Sequence, residues 1–192
     1  MIIIALEGID ACGKTSVATS LDNSYISGLR VRRGGEFMSP IGGILIAELP
    51  RLTPMEKVYW FAADRAWTLE WLRRQRADLV VWDRYLESAF AYRTSEMRMG
   101  LAPVGIEEVV TSVNRAFPAA DLNVYLSLEP ELAMARRRME FDTRWQGVAE
   151  YYSRRSCDPD YAIIDASMEF NEVVTAVEAK IWQLVESRKG SA

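Results

Sequence analysis

The stretch Ile2-Ile3-Ile4-Ala5-Leu6-Glu7-Gly8-Ile9-Asp10-Ala11-Cys12-Gly13-Lys14-Thr15-Ser16 carries two signals in direct succession. Ile2 to Leu6 is a short apolar run, β-branched at Ile2, Ile3 and Ile4, the pattern of a buried parallel strand. Gly8 to Thr15 then matches G-x-x-x-x-G-K-[ST], and a helix is expected from Lys14 to about Asp22. Strand, glycine loop and helix in this order form a phosphate cradle. Gly8 and Gly13 allow backbone angles and close approaches that a Cβ obstructs. The N–H groups from Ile9, Asp10, Ala11 and Cys12 through Ser16 converge on a β-phosphate, aided by the positive end of the helix. Lys14 places a compact charge between β- and γ-phosphates, and the Thr15 hydroxyl is a ligand for Mg²⁺. A plain glycine turn before a helix is the other reading of these residues. Cys12 reads as a small side chain filling a tight loop rather than as a reactive thiol.

Outward from this loop, apolar runs alternate with helical periodicity. Further strands are expected over Leu29–Arg33, Leu79–Trp82, Leu122–Leu126 and Tyr161–Ile164. Helices are expected over Ile41–Leu49, Pro54–Arg76, Leu86–Arg98, Ile106–Ala116, Pro130 to about Arg155, and Glu169–Ser187, with Thr53 as a possible N-cap. The pattern predicts one α/β domain over residues 1–188 with a P-loop NTPase fold. Its sheet is a five-stranded parallel sheet with helices on both faces, and residues 189–192 form a flexible tail. Ligands of such sheets bind outside the C-terminal strand ends. Asp83 stands at one of those ends, where an acid beside a phosphate loop holds Mg²⁺ directly or through water.

Composition narrows the chemistry. The 192 residues are 49 % hydrophobic and 26 % charged, a globular balance. A net charge of −4 argues against a general nucleic-acid binder. The absence of histidine excludes Ser-His-Asp, Cys-His and His-metal sites. Cys12 and Cys157 have no metal-ligand spacing and are expected to stay reduced. The first apolar run is too short for a signal peptide or membrane span, so no membrane association and a cytoplasmic location are expected.

Four segments carry a family resemblance. They are Leu6-Glu7-Gly8-Ile9-Asp10 running into Gly13-Lys14-Thr15; Phe61-Ala62-Ala63-Asp64-Arg65; Asp83-Arg84-Tyr85 continuing through Ser88 to Ala91-Tyr92; and Asn123-Val124-Tyr125-Leu126 followed by Glu129-Pro130-Glu131 and Arg136-Arg137-Arg138. In order and spacing the chain resembles the thymidylate kinase family over nearly its whole length. The resemblance implies transfer of the γ-phosphate of ATP to dTMP, giving dTDP and ADP, with Mg²⁺ as cofactor and a homodimer through packed helices. It implies that Phe61 stacks on thymine, that Arg65 donates to a base carbonyl, and that Arg84 grips the acceptor phosphate. Asp10 would accept from the deoxyribose 3′-hydroxyl, Tyr92 would wall off the 2′ position, and Ser88 would reach the base edge. Read without the resemblance, Phe61 and Tyr92 also suit core packing, and Arg65 also suits an ion pair with a neighbouring acid.

The chain departs from the family pattern at two places. The arginine usually found before the second helix has no clean counterpart in Gly34-Gly35-Glu36-Phe37-Met38-Ser39-Pro40, and Arg33 is its closest carrier. The lid segment Arg138-Met139-Glu140-Phe141-Asp142-Thr143-Arg144 is abbreviated, and Ala11 occupies a loop position where some relatives carry arginine. The lid cations would come from Arg136, Arg137, Arg138 or Arg144. Arg137 and Arg144, seven residues apart, share a helical face and form the better pair. A monophosphate acceptor needs positioning more than a general base, whereas a nucleoside hydroxyl needs a carboxylate, for which Glu36 is a candidate. A kinase for another deoxynucleoside or deoxynucleotide, and a lid-deficient nucleotide-binding regulator, are the alternatives.

Overall fold

The computed structural model describes residues 1–137, 143–155, 157, 158 and 161–190; the side chains of residues 137, 143 and 144 lie outside that description. The elements are β1 (Ile2–Glu7), α1 (Lys14–Leu21), β2 (Tyr25–Ile26), β3 (Leu29–Gly35), α2 (Gly42–Glu48), α3 (Pro54–Arg74), β4 (Leu79–Asp83), α4 (Leu86–Arg98), α5 (Ile106–Asn114), β5 (Leu122–Ser127), α6 (Pro130–Arg137), α7 (Thr143–Arg155), β6 (Tyr161–Asp165) and α8 (Phe170–Lys189). Strand order is β2-β3-β4-β1-β5-β6. All the strands expected from sequence are present and pair in parallel. The sixth, β2, is a two-residue strand that pairs antiparallel with β3, so the five-stranded expectation is corrected to six. Two residues are too few to show a period. The single helix expected over Pro130 to Arg155 is described as α6 and α7, with residues 138–142 between them outside the described residues.

β1 is central, pairing with β4 on one side and β5 on the other. Its side chains alternate between two apolar layers, as the twofold repeat of a strand requires. Ile4 and Leu6 join Val81 of β4 against Val17 and Leu21 of α1 and against Val173, Val177, Ile181 and Val185 of α8. The fourfold spacing on α8 is one helical stripe; each such buried side chain contributes about 1.5–3 kcal/mol. Ile3 and Ala5 join Val80 and Trp82 against Leu69 and Leu72 of α3. Both sheet faces are therefore covered, which is why β1 and β4 read as unbroken apolar runs. Gly34 of β3 makes room for Trp82 beside it: a Cβ there would lie 2.7 Å from the indole.

A smaller cluster of Val58, Ala102, Ile106 and Val110 ties α3 to α5, with Ala89 and Phe90 of α4 packed on it. α7 lies along α4. The helices α3, α4 and α7 thus surround a cleft beyond the C-terminal ends of β1, β3 and β4. Among the described residues, no helix is long and apolar enough to cross a membrane.

Candidate active site

The loop after β1 is built as its glycines require. Gly8 has φ 142° and Gly13 φ 100°. A Cβ on Gly8 would lie 2.7 Å from the Leu126 carbonyl oxygen and 2.9 Å from Cys12 Sγ. Only glycine lets the loop lie this close to β5. The buried Lys14 Nζ donates to the carbonyls of Gly8 (2.9 Å) and Ile9 (2.6 Å), and to Cys12 Sγ (3.3 Å). Cys12 is a buried free thiol that fills the space beneath the loop.

Thr15 and Asp83 meet at the mouth of the loop, because Asp83 ends β4 beside Leu6 of β1. Thr15 Oγ1 donates to Asp83 Oδ2 at 2.5 Å. Asp83 Oδ1 is buried and accepts no hydrogen bond among the described residues. A buried carboxylate oxygen left without a donor is costly unless a cation or water meets it. A hydroxyl and one carboxylate are a hard-oxygen pair that suits Mg²⁺, which keeps several waters and needs few protein ligands.

Arg84 follows Asp83 with φ 66°, an unusual backbone for a non-glycine residue. Two hydrogen bonds hold this corner: Arg84 N–H to the Leu6 carbonyl (3.1 Å) and Tyr85 N–H to Glu7 Oε1 (2.9 Å). The corner turns Arg84 into the cleft. There its guanidinium pairs with Asp10, donates to the Tyr92 hydroxyl (3.2 Å), lies 5.3 Å over the Tyr92 ring, and has Nε 3.6 Å from Glu36. The Tyr92 hydroxyl also donates to Asp10 (2.9 Å). Glu36 directly follows β3, its side chain 20 % exposed. Burial, reinforced by Asp83 and opposed by Arg65, pushes its carboxyl up to about 8.

Of these groups, Thr15, Asp83, Arg84, Asp10, Tyr92 and Glu36 face one cavity of about 540 Å³. It is lined by Asp10, Thr15, Arg33, Phe61, Arg65, Asp83, Arg84, Ser88 and Tyr92, each named above from sequence. Phe61 meets Phe37 in an edge-type contact, with ring centroids 5.6 Å apart, and both line the cleft. Phe37 is set by Asp64, whose carboxylate accepts from the N–H groups of Phe37 (2.7 Å) and Ser39 (3.0 Å). Arg33 NH2 lies 3.8 Å from Asp83, and its NH1 donates to Thr19 (3.2 Å).

Two residues have partners that sequence did not suggest. Arg65 is buried and donates to the Tyr85 carbonyl (3.0 Å) and Asn114 (3.4 Å), between the rings of Tyr85 and Phe117. Burial draws its pKa down from the ordinary arginine value. Ser88 donates to Glu7 Oε2 at 2.6 Å, and the Tyr152 hydroxyl donates to the same oxygen at 2.7 Å. Glu7 is thus a fully buried carboxylate binding β1, α4 and α7; burial pushes its carboxyl up, against the pull of these donors. The one sequence signal for it is a charged residue ending an otherwise apolar strand. Glu96, Arg93 and Lys57 also line the cleft without having been singled out.

A second hollow, of about 230 Å³, lies between the loop and α8, lined by Gly13, Ser16, Arg136 and Phe170. Arg136 donates to the carbonyls of Ala166 (2.7 Å) and Ala11 (3.4 Å), so it braces the loop against the turn after β6. Of the other lid cations expected from sequence, Arg138 lies outside the described residues, as do the side chains of Arg137 and Arg144.

The family model described as thymidylate kinase matches residues 6–177. A probable thymidylate kinase of Sulfolobus acidocaldarius is 33 % identical over 147 residues, covering 74 % of this chain and 72 % of that protein. A probable thymidylate kinase 1 of Saccharolobus solfataricus is 31 % identical over 183 residues, covering 90 % and 92 %. Among solved structures, deoxyadenosine kinase from M. mycoides with bound dATP shares the fold at TM-score 0.68 and 13 % identity, over 93 % of this chain and 98 % of that one. With its phosphate loop, its Asp83-Arg84 corner and its aromatic cleft in one continuous arrangement, the chain belongs to the thymidylate kinase family, the kinases that phosphorylate dTMP to dTDP at the expense of ATP.

Proposed function

We propose that the 540 Å³ cleft holds dTMP with its phosphate at Arg84 and its base at Phe61, facing ATP held by the loop. The reaction is the family's: the γ-phosphate of ATP passes to dTMP, leaving ADP and dTDP. One observation carries the placement. The Thr15–Asp83 pair, the Arg84 guanidinium and the Phe61 ring all open into the same cavity, so a phosphorylated pyrimidine there meets the end of a triphosphate.

The loop N–H groups hold the β-phosphate, and Lys14 leaves its carbonyl partners for the β- and γ-phosphates. Mg²⁺ held by Thr15 and by Asp83 through its unpartnered oxygen would neutralise charge on the same phosphates. The nucleoside end of ATP would occupy the hollow beside Ser16 and Arg136. Arg84 orients the acceptor phosphate, with Arg33 at its flank. Asp10 would accept from the 3′-hydroxyl, and Tyr92, bonded to Asp10, would wall off the 2′ position. Arg137 and Arg144 are the cations we assign to the transferring phosphate. The exposed residues Tyr59, Ala63, Ala66 and Trp67 make one apolar stripe on α3, which we assign to a homodimer. The free thiols of Cys12 and Cys157 support a cytoplasmic setting.

The test is ADP release with dTMP as acceptor. Rapid, Mg²⁺-dependent turnover is expected, and Lys14→Ala should lower it by about a thousandfold or more while the far-ultraviolet spectrum stays unchanged. Absence of turnover with dTMP, or undiminished turnover in the Lys14 variant, contradicts the placement.

A further inference from the structure

Glu7 is fully buried and does not line the cleft, so no step of phosphate transfer uses it directly. It ends β1 immediately before Gly8, the first residue of the phosphate loop. Its Oε1 accepts from the Tyr85 N–H (2.9 Å), and its Oε2 accepts from the hydroxyls of Ser88 (2.6 Å) and Tyr152 (2.7 Å). The two hydroxyls lie 3.1 Å apart. Tyr152 is itself fully buried, its ring stacked on that of Tyr125 at 5.3 Å. One carboxylate thus gathers the residue after Arg84, the first turn of α4 and the C-terminal half of α7.

Burying a carboxylate costs more than burying an apolar side chain of similar size, even when it is well bonded. Stability alone gives no reason for an acid at the end of an otherwise apolar strand. The geometry of the neighbouring corner gives one. Arg84 has φ 66°, a conformation that a non-glycine residue keeps only where its surroundings hold it. Its own N–H donates to the Leu6 carbonyl (3.1 Å), and the next N–H, that of Tyr85, donates to Glu7. The Tyr85 carbonyl in turn accepts from Arg65 (3.0 Å). Among these contacts, the Glu7 bond is the one made by a side chain of the strand that leads into the phosphate loop. The loop's own amides are set separately, by Gly8 and Gly13 and by the start of α1.

We propose that Glu7 is a positioning residue for the acceptor side of the reaction: it holds the Arg84 corner in register with the phosphate loop and, through Tyr152, fixes α7 to both. This role rests on the placement of the acceptor phosphate at Arg84 given above. Glu7 acts through Arg84, so its loss misdirects the guanidinium that aligns the acceptor and leaves the ATP side intact. Ser88 then serves the corner through Glu7 rather than the base edge.

The experiment measures kcat, the KM values for dTMP and ATP, and melting temperature. The proteins are the wild type, Glu7→Leu, Glu7→Gln, Tyr152→Phe and the double variant Glu7→Leu/Tyr152→Phe. Val177→Ala, a buried change in α8 outside the cleft, is the control for lost stability alone. Misplacing an aligning group by about 1 Å costs on the order of a hundredfold. Glu7→Leu should therefore lower kcat by about a hundredfold and raise KM for dTMP, with KM for ATP near the wild-type value. Glu7→Gln should recover about tenfold of that loss, because its carbonyl still meets the Tyr85 N–H while the two hydroxyls turn to accept from its amide. Tyr152→Phe should lower kcat alone but add nothing in the Glu7→Leu background, since its effect runs through the carboxylate. A folded Glu7→Leu with wild-type kcat overturns the inference, and so does one whose KM for ATP rises as much as that for dTMP. Equal losses of kcat in Val177→Ala at a matched fall in melting temperature also decide against it. If Glu7→Leu does not fold, Glu7→Gln decides: about a tenfold lower kcat with wild-type KM for ATP supports the role, and wild-type kcat contradicts it. A wild type that ignores dTMP and phosphorylates another acceptor overturns the acceptor placement itself, and the same comparison with that acceptor then tests Glu7.

Discussion

At the scale of single residues, the cleft combines groups that local sequence announces with groups that only the fold creates. Phe61 belongs to the first kind. It lines the cavity in edge-type contact with Phe37. Phe61→Ala should raise KM for dTMP by the equivalent of about 1–3 kcal/mol of lost stacking, with KM for ATP unchanged; a fall in melting temperature with normal dTMP affinity would instead mark it as core. Glu36 belongs to the second kind. Its carboxyl titrates at about 8 in the folded chain, far above an ordinary glutamate, because of its burial and its proximity to Asp83. The folded state therefore holds a proton that the unfolded chain releases, so this residue's contribution to stability is full at low pH and is lost as pH climbs toward 8. Relative to Glu36→Gln, the wild type should lose roughly 1–3 kcal/mol between about pH 5 and pH 8, measured by urea unfolding. Lys14, Thr15 and Asp83 were legible because their chemistry is local: a loop of fixed spacing and an acid closing a strand. Glu7 was not, since its donors come from Tyr85, Ser88 and Tyr152. Nothing near Glu7 in the chain reveals them.

At the scale of elements, β1 and β4 were readable because they are buried on both faces and thus almost wholly apolar, whereas β3, with Arg30, Arg32 and Arg33, gave a weaker signal. β2 was not readable, because a two-residue strand is defined by its partner β3 and not by its own pattern. The start of α3 was readable to the residue. Thr53 Oγ1 accepts from Glu56 N–H at 3.2 Å, and Glu56 Oε2 accepts from Thr53 N–H at 2.8 Å, with Pro54 at the first helical position. This reciprocal cap fixes the end of the helix that presents Lys57 and Phe61. Thr53→Ala should cost about 0.5–2 kcal/mol in denaturant unfolding and should leave turnover with saturating substrates near normal. The helical pattern expected over 130–155 is met in α6 and α7, the described parts of that stretch.

At the scale of the whole molecule, the sheet order gathers the loop after β1, the Asp83-Arg84 corner after β4 and Glu36 after β3 at one end of the domain. On the α3 stripe, away from the core, Tyr59 is 55 % and Trp67 41 % exposed. Such a stripe is apolar surface that a second copy would cover. Trp67→Glu should convert a dimer to a monomer in light scattering, and a wild type that is already monomeric at micromolar concentration would remove that assignment. The same sheet order bears on how the chain is made. Ile4 of β1 must find Val81 on one side and Leu122 on the other. At a synthesis rate of about 5–20 residues per second, the most apolar segment of the protein leaves the ribosome on the order of ten seconds before both its neighbours exist. Nascent chains halted before residue 122 should therefore be protease-sensitive and prone to capture by holding chaperones, and refolding from denaturant should be slow and lose yield as protein concentration rises.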